Sequence, residues 1–81
     1  MHMYTNIRSL REDRDIRQKE LARYLNCSQT CYSRYELGLR DIPTDVLLRL
    51  AEFYSTSVDY LLGATEERKP YPRAKKPGAR F

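Results

Sequence analysis

The apolar residues of this chain recur at intervals of three and four, and a turn former interrupts every apolar stretch early. Ile7 and Leu10, then Leu21, Ala22 and Leu25, then Val46, Leu47, Leu50, Ala51 and Tyr54, then Val58, Leu61 and Leu62 each mark one face of a short amphipathic helix. A strand needs strict alternation, which is nowhere sustained. The interruptions set the boundaries. Thr5 is expected to cap a first helix and Asp15 to break it. A second helix runs from Gln18 to Leu25, with Asn26 taking the left-handed turn behind it. Ser28 caps a third helix, which Gly38 ends. "LRDIP" is a loop, Pro43 or Thr44 opens a fourth helix, and "STS" separates it from a fifth that Ser57 caps and Gly63 closes. The expected fold is all-α, a compact bundle of five short helices over residues 1–63.

With 81 residues the chain has room for one small core and little volume for an enclosed active site. It carries one histidine, His2, no evident pair of carboxylates in a pocket and no glycine-rich phosphate loop, so we read it as a binding protein, not an enzyme, and expect no cofactor. Cys27 and Cys31 stand four apart and could offer two metal ligands. Zinc sites usually take four and only His2 remains, so no metal is expected. Cys27 is read as a core residue and Cys31 as a partly exposed one. No stretch approaches the ~18 apolar residues of a membrane span, and "MHMYTNIRSLRED" lacks the apolar centre of a signal peptide. The expected location is cytoplasmic, with both thiols reduced.

Charge is unevenly distributed. Residues 64–81 carry six basic residues against Glu66 and Glu67, which accounts for the whole net charge of +4. Residues 1–40 carry eight basic and five acidic residues, whereas residues 41–63 carry Arg49 against Asp41, Asp45, Glu52 and Asp59. The globular part is therefore neutral but polarised, with a basic front half. The segment 64–81, rich in Pro, Lys and Arg, has little to bury and is expected to be a disordered tail.

The second and third helices are joined only by "LNCS", and the third opens with short hydrogen-bonding side chains. Two helices in this relation need a small residue at their contact, a residue tolerant of the left-handed region in the turn, and an apolar plug from the following helix. Ala22, Asn26 and Tyr32 stand at those places. A polar run such as Gln29, Thr30, Ser33 and Arg34 is often a plain solvated helix face, but at the start of the second helix of such a pair it is aimed at base edges in the major groove. Gln can bind adenine bidentately, Arg can bind guanine, and Thr can offer its methyl to thymine. Of the tyrosines, Tyr24, Tyr35, Tyr54 and Tyr60 lie at core spacing, which favours packing over base stacking.

The stretch "RQKELARYLNCSQTCYSRYELGLRDIP" resembles the helix-turn-helix of the phage repressor and Cro type, the XRE family, whose fold is that of a lambda repressor-like DNA-binding domain. "SLREDRDIRQKELA" is similar to the family's first helix and entry to the second, and "LLRLAEFYSTSVDYLLG" to its fourth and fifth helices, so the likeness runs from about Ile7 to Gly63. The resemblance implies a helix-turn-helix at about residues 18–37 and a third helix at about 28–37 that reads duplex DNA. It implies that Gln29, Thr30, Ser33 and Arg34 face bases, that Gln18 and Arg40 contact phosphates, and that Arg11 pairs with Glu36; Arg17, which departs from the family pattern, is expected to add a phosphate contact of its own. Three residues depart from the family pattern. Asp15 stands for the usual Gly, Arg17 for a Thr or Ser cap, and Tyr32 for an Ile or Val plug, for which the small Cys27 is expected to make room.

What the resemblance implies for function is a sequence-specific transcriptional regulator, a repressor, acting as a homodimer on a palindromic site. Its dimer contact is expected at Phe53, Tyr54, Val58 and Leu61. No membrane partner and no small-molecule effector domain are expected. The alternative is an antitoxin-like or adaptor module that mainly binds a protein partner through its C-terminal tail, with DNA binding secondary.

Overall fold

The computed structural model describes residues 4–69. It is all-helical over those residues, in the order α1 (Thr5–Asp13), α2 (Gln18–Tyr24), α3 (Gln29–Leu37), α4 (Thr44–Tyr54) and α5 (Val58–Leu61). Helices this short are marginal alone and persist because each buries one face. Ile7 and Leu10 of α1, Leu21 and Ala22 of α2, Tyr32 and Tyr35 of α3, Val46, Leu50, Ala51 and Tyr54 of α4, and Tyr60 and Leu61 of α5 join one core with Leu25.

All five helices end by the same device. A residue in the left-handed region follows the last turn, and the next N–H closes on a carbonyl five residues back: Ile16 to Arg11 at 3.1 Å, Cys27 to Ala22 at 2.9 Å, Leu39 to Arg34 at 2.9 Å, Thr56 to Ala51 at 2.9 Å, and Ala64 to Asp59 at 2.8 Å. The left-handed residues are Asp15, Asn26, Gly38, Ser55 and Gly63. The closure satisfies terminal carbonyls and reverses the chain within a few residues, which lets five helices share so small a core.

The starts vary more. Ser28 and Ser57 cap α3 and α5 through their hydroxyls, accepting from Cys31 N and Tyr60 N at 3.0 Å each. Arg17 has no side-chain acceptor, so only the reciprocal half of a capping box forms, Arg17 N–H donating to Glu20 Oε1 at 3.0 Å. Thr5 does not cap α1 as expected. It is the first helical residue, and the flanking place belongs to Tyr4, whose N–H donates to Glu36 O at 3.1 Å. A tertiary bond to the end of α3 thus sets where α1 begins.

Three other expectations are corrected. Tyr24 is 40% exposed and lies outside the core. It packs its ring on Phe53 at 4.8 Å and under the guanidinium of Arg49 at 5.4 Å, where an amphipathic ring keeps contact with water. Tyr54 and Leu61, expected in a dimer contact, are 3% and 0% exposed; the core consumes their surface and leaves none for a partner. Residues 64–69, expected to begin a disordered tail, fold back on the bundle. Thr56 Oγ1 donates to Arg68 O at 2.7 Å, and Arg68 reaches Tyr60 Oη and Asp13 Oδ2, both at 2.9 Å. The buried polar groups of Thr56 and Tyr60 need partners, and one arginine serves both. Residues 70–81 lie outside the described residues.

Ser55 adopts φ 52° without the licence of glycine or a local amide. Ser55→Gly is expected to stabilise the fold by about 0.5–1 kcal/mol, as relief of the left-handed conformation exceeds the entropy glycine adds to the unfolded chain. Urea denaturation measures it.

Candidate nucleic-acid interface

The geometry of α3 begins with its anchor. Glu36 is 3% exposed, and its two carboxylate oxygens accept four hydrogen bonds. Arg11 donates from Nε to Oε2 at 2.6 Å and from Nη2 to Oε1 at 3.2 Å. Gln18 Nε2 donates to Oε1 at 3.1 Å, and Tyr32 Oη to Oε2 at 2.6 Å. The remaining Arg11 nitrogen, Nη1, donates to Ile16 O at 3.0 Å. Burial by itself would raise the Glu36 pKa, but the hydrogen bonds from Arg11, Tyr32 and Gln18 outweigh it and hold the carboxyl below its ordinary value. The same pairing raises Arg11. Tyr32 is pushed well up by desolvation and by its bond to Glu36, so it remains a donor. One carboxylate thus joins α1, the start of α2 and both ends of the inner face of α3.

With that face turned inward, the opposite one is presented outward. Gln29, Thr30 and Arg34 are exposed and Ser33 is partly so, at spacings that place them on one side of α3. Arg17 and Arg40 are also exposed, at the entry to α2 and beyond the end of α3. Lys19 and Arg23 flank an open groove between α2 and α3 that Asn26, Ser28 and Gln29 complete. These two lysine and arginine positions were not singled out in the sequence; their helical spacing along the outer face of α2 was the available signal. Gln18 is not free. One of its two amide N–H groups is committed to Glu36, leaving the other. Arg40 likewise has a resting partner, donating from Nη1 to Cys31 Sγ at 3.3 Å.

Phe53 and Val58 are partly buried, whereas Leu39 and Leu48 are each 57% exposed and Leu37 is 39%. Tyr54 Oη is buried with no hydrogen-bond partner among the described residues, and burial pushes its pKa up to about 12. No helix among the described residues is long and apolar enough to cross a membrane.

Comparison with known proteins gives a consistent picture. The helix-turn-helix family matches residues 7–61. The chain is 39% identical over 69 residues to the HTH-type transcriptional regulator ImmR of Bacillus subtilis, a span covering 85% of this chain and 54% of that protein. It is 31% identical over 62 residues to the cryptic phage CTXphi transcriptional repressor RstR of Vibrio cholerae, covering 76% of this chain and 56% of that one. It also matches the uncharacterized HTH-type transcriptional regulator YobD of Bacillus subtilis at 34% over 64 residues, 79% of this chain and 57% of the relative. The chain therefore spans a little over half the length of these relatives. No solved structure gives a significant match.

The unfolded chain returns Glu36 to its ordinary value of 4.5, above its folded one. Its contribution to stability is therefore complete above that value and drains away as pH falls through the lower folded value. Glu36→Gln is expected to cost about 3–5 kcal/mol at neutral pH, leaving Arg11 unpaired, and to flatten the acid limb of the stability profile. Tyr32→Phe, which keeps the ion pair, is expected to cost about 1.5–3 kcal/mol. Urea denaturation across acid and neutral pH measures both.

Proposed function

This chain belongs to the helix-turn-helix family of phage repressor (XRE) type, and from that premise we propose that it is a sequence-specific DNA-binding transcriptional regulator whose α3 reads bases in the major groove. The observation that carries the reading is the two-sided character of α3: Tyr32, Tyr35 and Glu36 are spent inward, leaving Gln29, Thr30, Ser33 and Arg34 on the outer side near the capped end. A helix of this diameter fits the major groove with its N-terminal residues at base edges. Arg34 suits guanine O6 and N7, Gln29 suits adenine, and Thr30 suits the thymine methyl. Arg17, the free amide N–H of Gln18, and Arg40 would hold phosphates and set register without reading sequence. Lys19 and Arg23 extend that basic margin.

One such motif covers a half-site, so useful specificity calls for two copies about one helical turn apart, ~34 Å. We therefore read the chain as a homodimer on a palindromic site. The exposed Leu39 and Leu48 support an additional apolar contact, in place of the buried Tyr54 and Leu61. Repression is the reading we favour, supported by the likeness to a phage repressor. Binding, not catalysis, is the proposed activity, and it belongs with the duplex in the cytoplasm. The domain over residues 1–63 is taken as the DNA-binding unit, with Arg68 fastened to it. The basic residues of 70–81, outside the described region, would add sequence-independent, salt-sensitive affinity through their charge.

Selection from a random duplex pool at about 150 mM salt, run with wild type and Arg34→Ala, tests the reading. Wild type is expected to enrich an inverted repeat with half-sites ~10 base pairs apart, and Arg34→Ala to lose preference at one symmetric position, a discrimination of about 1–3 kcal/mol per half-site. Enrichment of nothing by either, with equal binding at low salt, would transfer the lead to the partner-binding alternative.

A further inference from the structure

The two cysteines have no task in the reading above, yet they stand in one polar cluster at the start of α3. Cys31 occupies the first turn, its N–H held by the Ser28 cap at 3.0 Å, where unpaired backbone N–H dipoles favour negative charge. Arg40 Nη1 lies 3.3 Å from its sulfur. Cys27 sits on the turn before the cap, four residues ahead of Cys31 and near enough for each thiol to shift the titration of the other. Both thiols are partly exposed. Their surroundings act in opposite directions. Tyr35 and Arg40 lower the pKa of Cys31, whereas burial and the neighbouring sulfur raise that of Cys27. Such a pair divides the work of a thiol redox reaction, the sulfur paired with Arg40 at the start of α3 attacking first and its neighbour resolving the product.

We propose that Cys31 and Cys27 form a reversible oxidation site, Cys31 reacting with a hydroperoxide and Cys27 resolving the product as an intrachain disulfide. In the first step the Cys31 thiolate attacks one peroxide oxygen. The S–O bond forms and the O–O bond breaks, so that sulfur loses two electrons and the departing hydroxide (or alkoxide) takes up a proton. In the second step the Cys27 sulfur attacks the sulfenic sulfur of Cys31. The S–S bond forms and the S–O bond breaks, and hydroxide leaves with the Cys27 proton as water. A dithiol restores both cysteines by exchange. Oxidation takes from Arg40 its sulfur acceptor and ties the turn before α3 to the first turn of α3, where Gln29 and Thr30 stand. This consequence rests on the reading of α3 as the DNA-recognition helix: the oxidised chain would lose base preference.

The full chain is treated with hydrogen peroxide and read by mass spectrometry after alkylation. Wild type is expected to lose both free thiols as an intrachain disulfide that dithiothreitol reverses. Cys27→Ser is expected to yield a sulfenic acid on Cys31 that dimedone traps, and Cys31→Ser to leave Cys27 unreacted. Arg40→Ala is expected to slow alkylation of Cys31 by iodoacetamide severalfold, with an unchanged thermal melt showing that the variant is folded. Equal reactivity of the two cysteines in the folded wild type, or disulfides only between chains, would overturn the oxidation site. The duplex selection is repeated with reduced and oxidised protein. Enrichment by the reduced form alone supports the coupling, and equal enrichment by both refutes it. A reduced protein that enriches nothing sinks the DNA reading and the coupling together, while the mass result still decides the oxidation site.

Discussion

A carboxylate that is 3% exposed is tenable only if its oxygens are bonded, and Glu36 is bonded by residues from three helices. Arg11 brings α1, Gln18 brings the first turn of α2, and Tyr32 brings the preceding turn of α3 itself. Neutralising a buried charge in this way is exacting, because the loss of any donor leaves desolvation uncompensated. The rotation of α3 about its own axis is therefore tightly specified. Since side chains on a helix have fixed angular relations, locking Glu36 and Tyr32 inward also determines which residues point out. The presentation of Gln29, Thr30, Ser33 and Arg34 is a consequence of that buried network.

The substitution of Tyr for an aliphatic plug at residue 32 belongs to the same network. An aliphatic side chain could fill the space between α2 and α3 but could offer nothing to Glu36. Tyr32 fills it completely and delivers a hydroxyl to Oε2 at 2.6 Å. Its extra length lies toward a polar group that needs a donor, so the larger ring is accommodated without leaving its oxygen orphaned. Gln18 shows the complementary economy, one amide serving the buried carboxylate while its other N–H stays available.

Much of this was legible in the residues. The breaks at Asp15, Asn26, Gly38 and Gly63, the caps at Ser28 and Ser57, and the Ala22–Asn26–Tyr32 geometry all follow from local stereochemistry, which acts over a few residues and so is written in a few residues. What escaped was decided at long range. Thr5 is a good cap in sequence, but Tyr4 is held by a backbone bond to Glu36 and takes the position before the helix. Tyr24 fits the core spacing of α2, yet Phe53 and Arg49 give it a place at the rim. Composition made residues 64–69 seem to have nothing to bury, but composition does not record that Thr56 and Tyr60 require polar partners.

The site divides along the same line. Residue type and order along α3 determined which side chains are suited to bases and where the helix carrying them begins and ends, because helix periodicity and capping are local rules. Only the tertiary structure decided that Gln18 and Arg40 rest on Glu36 and Cys31, that Lys19 and Arg23 border the same groove, and that Tyr54 and Leu61 have no surface to offer a second copy. These outcomes depend on which faces meet when five short helices share one core. That is set by the summed packing and hydrogen-bonding of residues far apart in the chain, which no window of the sequence contains.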